Sequence, residues 1–163
     1  MYLLSMAAAR KNLRLATAYF VPDKLTVRAL IAARRRGVRA QVIVPGSRID
    51  VKIVRHASRA RWGKLLRAGV EIYEYRPTMF HCKQMIVDDL WVSIGSANLD
   101  NLSFRVNDEA NLNVMDRDFA AEQIRVFEQD LARSKPTTYE QWRRRPPGEK
   151  RIDQLATPFQ GLM

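Results

Sequence analysis

Cysteine and histidine are nearly missing from this chain. One cysteine, Cys82, and two histidines, His56 and His81, occur in 163 residues. A single cysteine excludes an internal disulfide framework and a Cys-rich zinc site. Two histidines exclude a His-rich metal site, so no metal and no cofactor is expected. Long apolar runs are missing as well: no stretch reaches the roughly 18 consecutive apolar residues that a membrane helix needs. The apolar segment Met1–Arg10 has no basic residues ahead of it and reads poorly as a signal peptide. The chain is therefore expected to be peripheral to a membrane at most, with any spanning segment outside it. Acid is also scarce, with 17 Asp and Glu against 28 Lys and Arg, a formal charge of +11. Such a surface attracts polyanions: nucleic acid, anionic lipid headgroups or phosphate substrates.

What is present suits one domain. A chain of this length buries about 68–70% of the surface its unfolded form exposes, so it needs no staples. The periodicities predict a short helix over residues 2–10 and a buried strand from Leu13 to Phe20, closed by Val21-Pro22. Asp23 is a candidate N-cap, since its carboxylate can accept a free N–H of the first turn. The helix it opens carries Val27, Leu30 and Ile31 at i, i+3, i+4. It ends in the basic Arg34-Arg35-Arg36 before Gly37, a stop that suits both the helix dipole and a left-handed residue. A strand over Val38–Val44 follows. A helix over residues 50–68 has Ile53, Ala57 and Ala60 on one face and stops at Gly69. Val70–Tyr75 reads as a third strand and Arg76-Pro77-Thr78 as a turn. Lys83–Val87 and Leu90–Ile94 around Asp88-Asp89 predict a tight hairpin. Glu109–Val114 is expected to be a strand and Asp118–Arg133 a helix. From Ser134 the composition shifts, and Arg143-Arg144-Arg145-Pro146-Pro147-Gly148 forms a basic break. The expectation is a catalytic domain over 1–133 and a basic, proline-containing tail over 134–163. Strand and helix alternate, which predicts an α/β domain with a mixed, largely parallel sheet covered on both faces.

The chemistry-bearing segment is His81-Cys82-Lys83 with Asp88, followed by Gly95-Ser96-Ala97-Asn98. In a strand, His81 and Lys83 stand two apart and share a face. A histidine beside a fixed ammonium suits phosphate chemistry: the lysine neutralises phosphoryl oxygens while the imidazole attacks phosphorus or shuttles a proton. At the end of the next strand a backbone N–H, the Ser96 hydroxyl and the Asn98 amide can donate to the same oxygens. Lysine and amides supply the charge, so the motif asks for no metal.

This H-x-K-x4-D-x6-G-S-x-N spacing resembles the HKD motif of the phospholipase D superfamily. The likeness extends over about residues 7–130. Thr17–Asp23, Gly37-Val38, Ile43–Gly46, Ala57-Ser58-Arg59 and Leu65–Tyr75 resemble bacterial cardiolipin synthases before the motif. Asn98-Leu99-Asp100, Ser103-Phe104, Asn107, Glu109 and Asn111 do so after it. The resemblance implies an α/β/α sandwich in which two HKD motifs meet at one active site. One histidine forms a phosphohistidine and the other protonates the leaving alcohol. It makes His81 nucleophile or general acid/base, places Lys83 and Asn98 on the phosphate and gives Ser96 as a further donor. It implies that Glu109 hydrogen-bonds His81, as a triad acid would. Asp88 belongs to the motif's catalytic set, although its own chemistry suits hydrogen bonding to nearby backbone. Leu102 stands where the family often has arginine, and Cys82 occupies a free position and is expected to be inert.

Other features have plainer readings. His56 sits in a basic helix beside Arg55 and reads as structural. Lys52, Arg55, Arg59, Arg61, Lys64 and Arg67 lie on one helix without an acid, which suits either a solvated face or an anionic ligand or lipid surface. Arg143–Arg145 suits a lipid contact or a disordered linker. Trp62, Trp91 and Trp142 need no role beyond packing, although Trp142, in the basic tail, also suits an interface. Three functions compete. The first is a phosphatidyl transferase acting on a phospholipid such as phosphatidylglycerol at an anionic membrane surface. It would need a second HKD motif from another half or a second copy. The second is a homodimeric single-HKD nuclease, the one reading with nucleic acid as partner. The third is an inactive half-domain.

Overall fold

The computed structural model describes residues 1–100, 103 and 106–156. The chain runs α1 (Tyr2–Ala8), β1 (Asn12–Thr17), α2 (Lys24–Arg35), β2 (Arg39–Pro45), α3 (Lys52–Arg67) and β3 (Glu71–Tyr75). It continues through β4 (Lys83–Val87), β5 (Trp91–Gly95), β6 (Asn111–Met115), α4 (Arg117–Ala132), β7 (Ser134–Thr137), α5 (Tyr139–Arg143) and α6 (Pro147–Leu155). The strands form one seven-stranded sheet in the order β6-β5-β4-β1-β2-β3-β7.

The sheet is mixed, as expected, but not largely parallel. Only β1 with β2 and β2 with β3 run parallel. The pairs β1–β4, β3–β7, β4–β5 and β5–β6 are antiparallel. The two parallel pairs come from the β1–α2–β2–α3–β3 crossovers, which step in one direction across the sheet. Right-handed crossovers stepping the same way put their helices on the same face. Accordingly Leu13, Leu15, Val42, Val44, Ile72 and Met85 form one core with α1, α2 and α3. Ala16, Ile43, Ile86 and Val92, on the alternate strand positions, pack with Ala120 and Phe127 of α4 on the other side. α4 spans from β6 at one edge to β7 at the other, closing the expected three-layer sandwich.

Local signals account for most boundaries. The Asp23 side chain accepts from Thr26 N–H at 2.7 Å and caps α2. Gly37 and Gly69 stop α2 and α3 at φ 89° and 86°, a region that glycine enters without a Cβ penalty. In both stops the next residue folds back, Val38 N–H to Ala33 O and Val70 N–H to Leu65 O. The hairpin turns on Asp88 and Asp89 at φ 52° and 57°, with Leu90 N–H donating to Val87 O. Two consecutive left-handed residues match the twist of the flanking strands.

Two expectations need correction here. The buried stripe of α3 is Val54, Ala57, Ser58, Trp62 and Leu65, while Ile53 is exposed. Residues 134–156, the described part of the expected tail, do not leave the fold. β7 extends the sheet along β3, and α5 and α6 pack on α3. Trp142 of α5 donates from Nε1 to Arg59 O at 2.7 Å, with Arg145 4.2 Å above its ring centroid. Its ring lies so close to Gly63 that a Cβ there would meet it at 2.3 Å. The stretch was marked off by charge and proline, whereas its place is decided by indole packing and by ion pairs to α3.

Candidate functional site

His81 ends the loop after β3 and is exposed, while Lys83 opens β4 and is buried. Lys83 pairs with Thr17 in the β1–β4 register, and alternation along β4 puts it on the same face as Met85 and Val87. The shared face expected for His81 and Lys83 is present: Lys83 Nζ lies 2.9 Å from His81 Nδ1 and 3.1 Å from Nε2. It also donates to His81 O at 3.1 Å. Burial lowers the Lys83 ammonium below the ordinary lysine range, opposed by the negative fields of Glu109, Asp50 and Asp100. An ammonium that is costly to keep desolvated gains from an incoming phosphate anion.

The opposite wall is the turn after β5. Asn98 is buried, and its Oδ1 accepts from Tyr19 N–H at 3.1 Å and from Thr17 Oγ1 at 3.4 Å. That fixes the amide orientation and leaves its nitrogen as the donating end. The backbone donors expected for a ligand are used internally. Ser96 N–H goes to Ala110 O, Ala97 N–H to Asn111 Oδ1 and Asn98 N–H to Ser103 Oγ. Ser96 Oγ accepts from Ala110 N–H at 3.0 Å, so the hydroxyl is engaged with the following loop. Gly95 is required by close approach, since a Cβ there would lie 2.1 Å from Ala110 O.

The hydrogen bond that the resemblance implies between Glu109 and His81 is not formed among the described residues. Among those residues the Glu109 carboxylate is held by Ser96, by Ser103 Oγ at 2.8 Å and by Asn107, rather than by His81. The Ser96 hydrogen bond leads the effects that lower the Glu109 carboxyl below its usual range, against the opposing effect of burial. The loop that carries Glu109 is anchored to the β5 turn, and those anchors reach the carboxylate first. Asp88 does not join the site either. Its carboxylate accepts from Arg10, Lys11 and Asn12 N–H at 2.8, 2.7 and 2.9 Å, at the far end of β4 from Lys83. A five-residue strand separates those ends by about 17 Å. Asp88 therefore ties the hairpin to the start of β1. Leu102 and Phe104 lie outside the described residues.

Two neighbours of His81 were not singled out in the sequence. The Tyr19 ring meets the imidazole edge to face, with centroids 6.2 Å apart. The Tyr19 hydroxyl donates to Asp50 Oδ2 at 2.7 Å. Burial, then Asp50, pushes the Tyr19 phenol up to about 12. The only available signal was positional: Tyr19 follows β1 and Asp50 follows β2, and the C-terminal ends of parallel strands gather at one edge of the sheet. Asn111 was noted only through the resemblance. It donates to Tyr2 Oη at 2.6 Å and to Ser93 Oγ at 3.2 Å, bracketing the Ser96–Asn98 turn against α1. Cys82 is half-buried, and burial first of all pushes its thiol up to about 11, so it is no thiolate at neutral pH. Among the described residues no group of three or more His, Cys, Asp or Glu side chains is placed to hold a metal ion.

The basic residues of α3 divide. Arg55 pairs with Glu74 at 2.7 Å and Arg59 with Glu149 at 3.0 Å. Arg67 stacks on and hydrogen-bonds Tyr139. His56 Nδ1 lies 2.8 Å from Asp153 Oδ1. Much of that run is thus structural, satisfied by partners that arrive far later in the sequence.

A layered α/β/α sheet with a histidine and lysine joined at the start of a central antiparallel strand defines a phospholipase D-like domain. The chain belongs to the family described as cardiolipin synthase, phospholipase D-like domain, whose model matches residues 2–131. It is 38% identical over 146 residues to a cardiolipin synthase of Geobacillus sp. (strain WCH70), covering 90% of this chain and 29% of that protein. It is 42% identical over 118 residues to cardiolipin synthase B of Escherichia coli (strain K12), covering 72% of this chain and 28% of the relative. The chain thus spans under a third of the length of these two relatives. Among solved structures, Nuc, a phospholipase D family member from Salmonella typhimurium, superposes with a TM-score of 0.74 at 20% identity. That superposition covers 83% of this chain and 88% of Nuc. Phosphatidylserine synthase from Haemophilus influenzae superposes with a TM-score of 0.73 at 16% identity, over 99% of this chain and 41% of that one. At those identities the two structures speak for the fold alone.

Proposed function

We propose that the chain supplies one of the two histidine sites of a phosphatidyl transferase of the cardiolipin synthase type. The contact of Lys83 Nζ with both His81 ring nitrogens, at an exposed position, carries this reading. In the first step a histidine nitrogen attacks the phosphorus of a phospholipid such as phosphatidylglycerol. The bond from phosphorus to the departing alcohol breaks, and a second histidine protonates the alkoxide. In the second step that histidine takes a proton from the acceptor alcohol. The acceptor oxygen then attacks phosphorus and displaces the first histidine. His81 takes one of these two places, Lys83 neutralises the non-bridging oxygens, and the Asn98 amide nitrogen donates to them.

The second histidine must come from another chain or another part of a longer one. One imidazole cannot stand on both sides of phosphorus, and the only other histidine, His56, is held by Asp153. An N-terminal half or a second copy would close over His81. Met79 on the His81 loop and Val106 on the loop towards Glu109 are both exposed, which suits contact with such a partner. Peripheral association with an anionic membrane fits the charge of +11. Among the described residues no helix is long and apolar enough to cross a membrane.

The test uses phosphatidylglycerol labelled at phosphorus. Acid-labile label on the protein and label transfer to an added alcohol are expected, both lost in His81→Ala. Sedimentation run in parallel should place the activity in an associated form. Turnover retained in His81→Ala, or full turnover by a stable monomer, overturns the proposal.

A further inference from the structure

A recess lies between α2 and α3, and none of its lining residues belongs to the His81 site. It is a groove of about 530 Å³ lined by Lys24, Val27, Arg28, Ile31, Ala60, Arg61 and Lys64. Four of these seven residues are cations and none is an acid. Helical spacing makes this a shared wall: Lys24, Val27, Arg28 and Ile31 recur at i, i+3, i+4, i+7 on α2, and Ala60, Arg61 and Lys64 face them from α3. Val27 is buried and Ile31 and Ala60 are partly so, giving the groove an apolar floor beneath charged rims. Two other cations of α3 are matched by acids, Arg55 by Glu74 and Arg59 by Glu149. Lys24, Arg28 and Lys64 are exposed and make no ion pair among the described residues. Like charges gathered without counter-charge repel one another, and an anion between them relieves that repulsion.

We propose that this groove binds the phosphate of an anionic phospholipid headgroup and seats the chain on the membrane surface. The two rims would bracket the phosphate, and the apolar floor would meet the glycerol and upper acyl carbons. A duplex nucleic acid would find cations but no use for that floor. The choice of lipid rests on the function proposed above, while the groove itself is separate from the reacting atoms.

The experiment sediments the 163-residue chain with vesicles of phosphatidylglycerol mixed into phosphatidylcholine, and with phosphatidylcholine alone. It compares wild type, the combined variant Lys24→Gln, Arg28→Gln, Lys64→Gln, and His81→Ala. Circular dichroism checks that each variant is folded. Each basic side chain near an anionic surface changes partition about fivefold, so three together change it on the order of 100-fold. The expected result is salt-sensitive wild-type binding to the phosphatidylglycerol vesicles only. The triple variant should lose about two orders of magnitude. Undiminished binding by the folded triple variant, or no wild-type binding, overturns the proposal. So does thermal stabilisation by inorganic phosphate that depends on the three cations while the vesicles give no such dependence. Tighter binding to a duplex oligonucleotide through the same three residues also overturns it. Failure of the function proposal reads differently, as turnover surviving in His81→Ala with vesicle binding unaffected.

Discussion

His56 Nδ1 lies 2.8 Å from Oδ1 of Asp153, a carboxylate with no exposed surface. The other oxygen of Asp153 accepts from Arg145 Nε at 2.8 Å. One carboxylate on α6 therefore joins α3 to the segment after α5. Removing one partner of a buried pair leaves an uncompensated charge, which costs about 3–5 kcal/mol. Asp153→Ala is expected to lower unfolding free energy by an amount of that order in urea. It should also expose the region after Ser134 to proteases. Unchanged stability would show that the C-terminal helices pack without this clasp.

Gly63→Ala sets two effects against each other. Alanine in a helix interior gains about 1 kcal/mol over glycine. Its Cβ would meet the Trp142 ring at 2.3 Å, and that ring is held by its hydrogen bond to Arg59 O. Overpacking of this kind costs about 1–3 kcal/mol. A net loss of stability is expected, with a changed tryptophan emission spectrum as Trp142 is displaced. A more stable protein with unchanged emission would contradict the close stacking.

Asp88 predicts an acid limb of stability. Burial raises its carboxyl pKa, but the N–H donors of Asn12, Lys11 and Arg10 outweigh that and hold it below the ordinary value. A folded-state pKa below the unfolded one contributes stability at pH above the unfolded value. That contribution declines as pH falls through the unfolded and then the folded pKa. Wild type should therefore lose stability below about pH 4, the unfolded aspartate value, more steeply than Asp88→Asn. At neutral pH, Asp88→Asn should be less stable by roughly 1–3 kcal/mol, because an amide replaces a charged acceptor. Turnover per folded molecule should stay near wild type, since Asp88 is remote from His81. Parallel acid limbs in the two proteins would remove Asp88 as their cause.

Glu109→Gln should act through the loop rather than through the imidazole. The Glu109 carboxylate accepts from Ser103 Oγ, and Ser103 Oγ in turn accepts from Asn98 N–H. A shift of that serine moves the Asn98 amide. The expected change is a raised KM for the phospholipid, with the pH profile of kcat retained. A displaced pH profile would show that Glu109 reaches His81 after all in the assembled enzyme.

Lys83→Ala should reduce turnover by at least 10²-fold, the scale of losing one positioned donor to a developing oxyanion. Lys83→Arg should not restore it, because a planar guanidinium cannot stand within hydrogen-bond reach of both ring nitrogens as the ammonium does. Full rescue by arginine would mean that charge alone, and not its position, is required.

The sequence by itself determined the elements from α1 to α4 and the core of the site, but not β7, α5 or α6. Leu13 to Thr17, the α2 and α3 stops at Gly37 and Gly69, and the hairpin around Asp88-Asp89 follow from rules that act over a few residues. So does the pairing of His81 with Lys83, because strand alternation is local. The tertiary structure decided what no local rule reaches: which strands are neighbours and in which direction. Antiparallel β4 enters beside β1, and β7 arrives at the far edge, so the sheet is mainly antiparallel although the alternation of strands and helices suggested otherwise. It also decided which polar groups were already taken. Glu109 is held by Ser96, Ser103 and Asn107, Asp88 by the N–H groups of residues 10–12, and Arg55 and Arg59 by Glu74 and Glu149. A side chain's chemistry is written in its identity, but its partner is whichever group the fold brings within about 3 Å. Most of these partners lie many residues away along the chain.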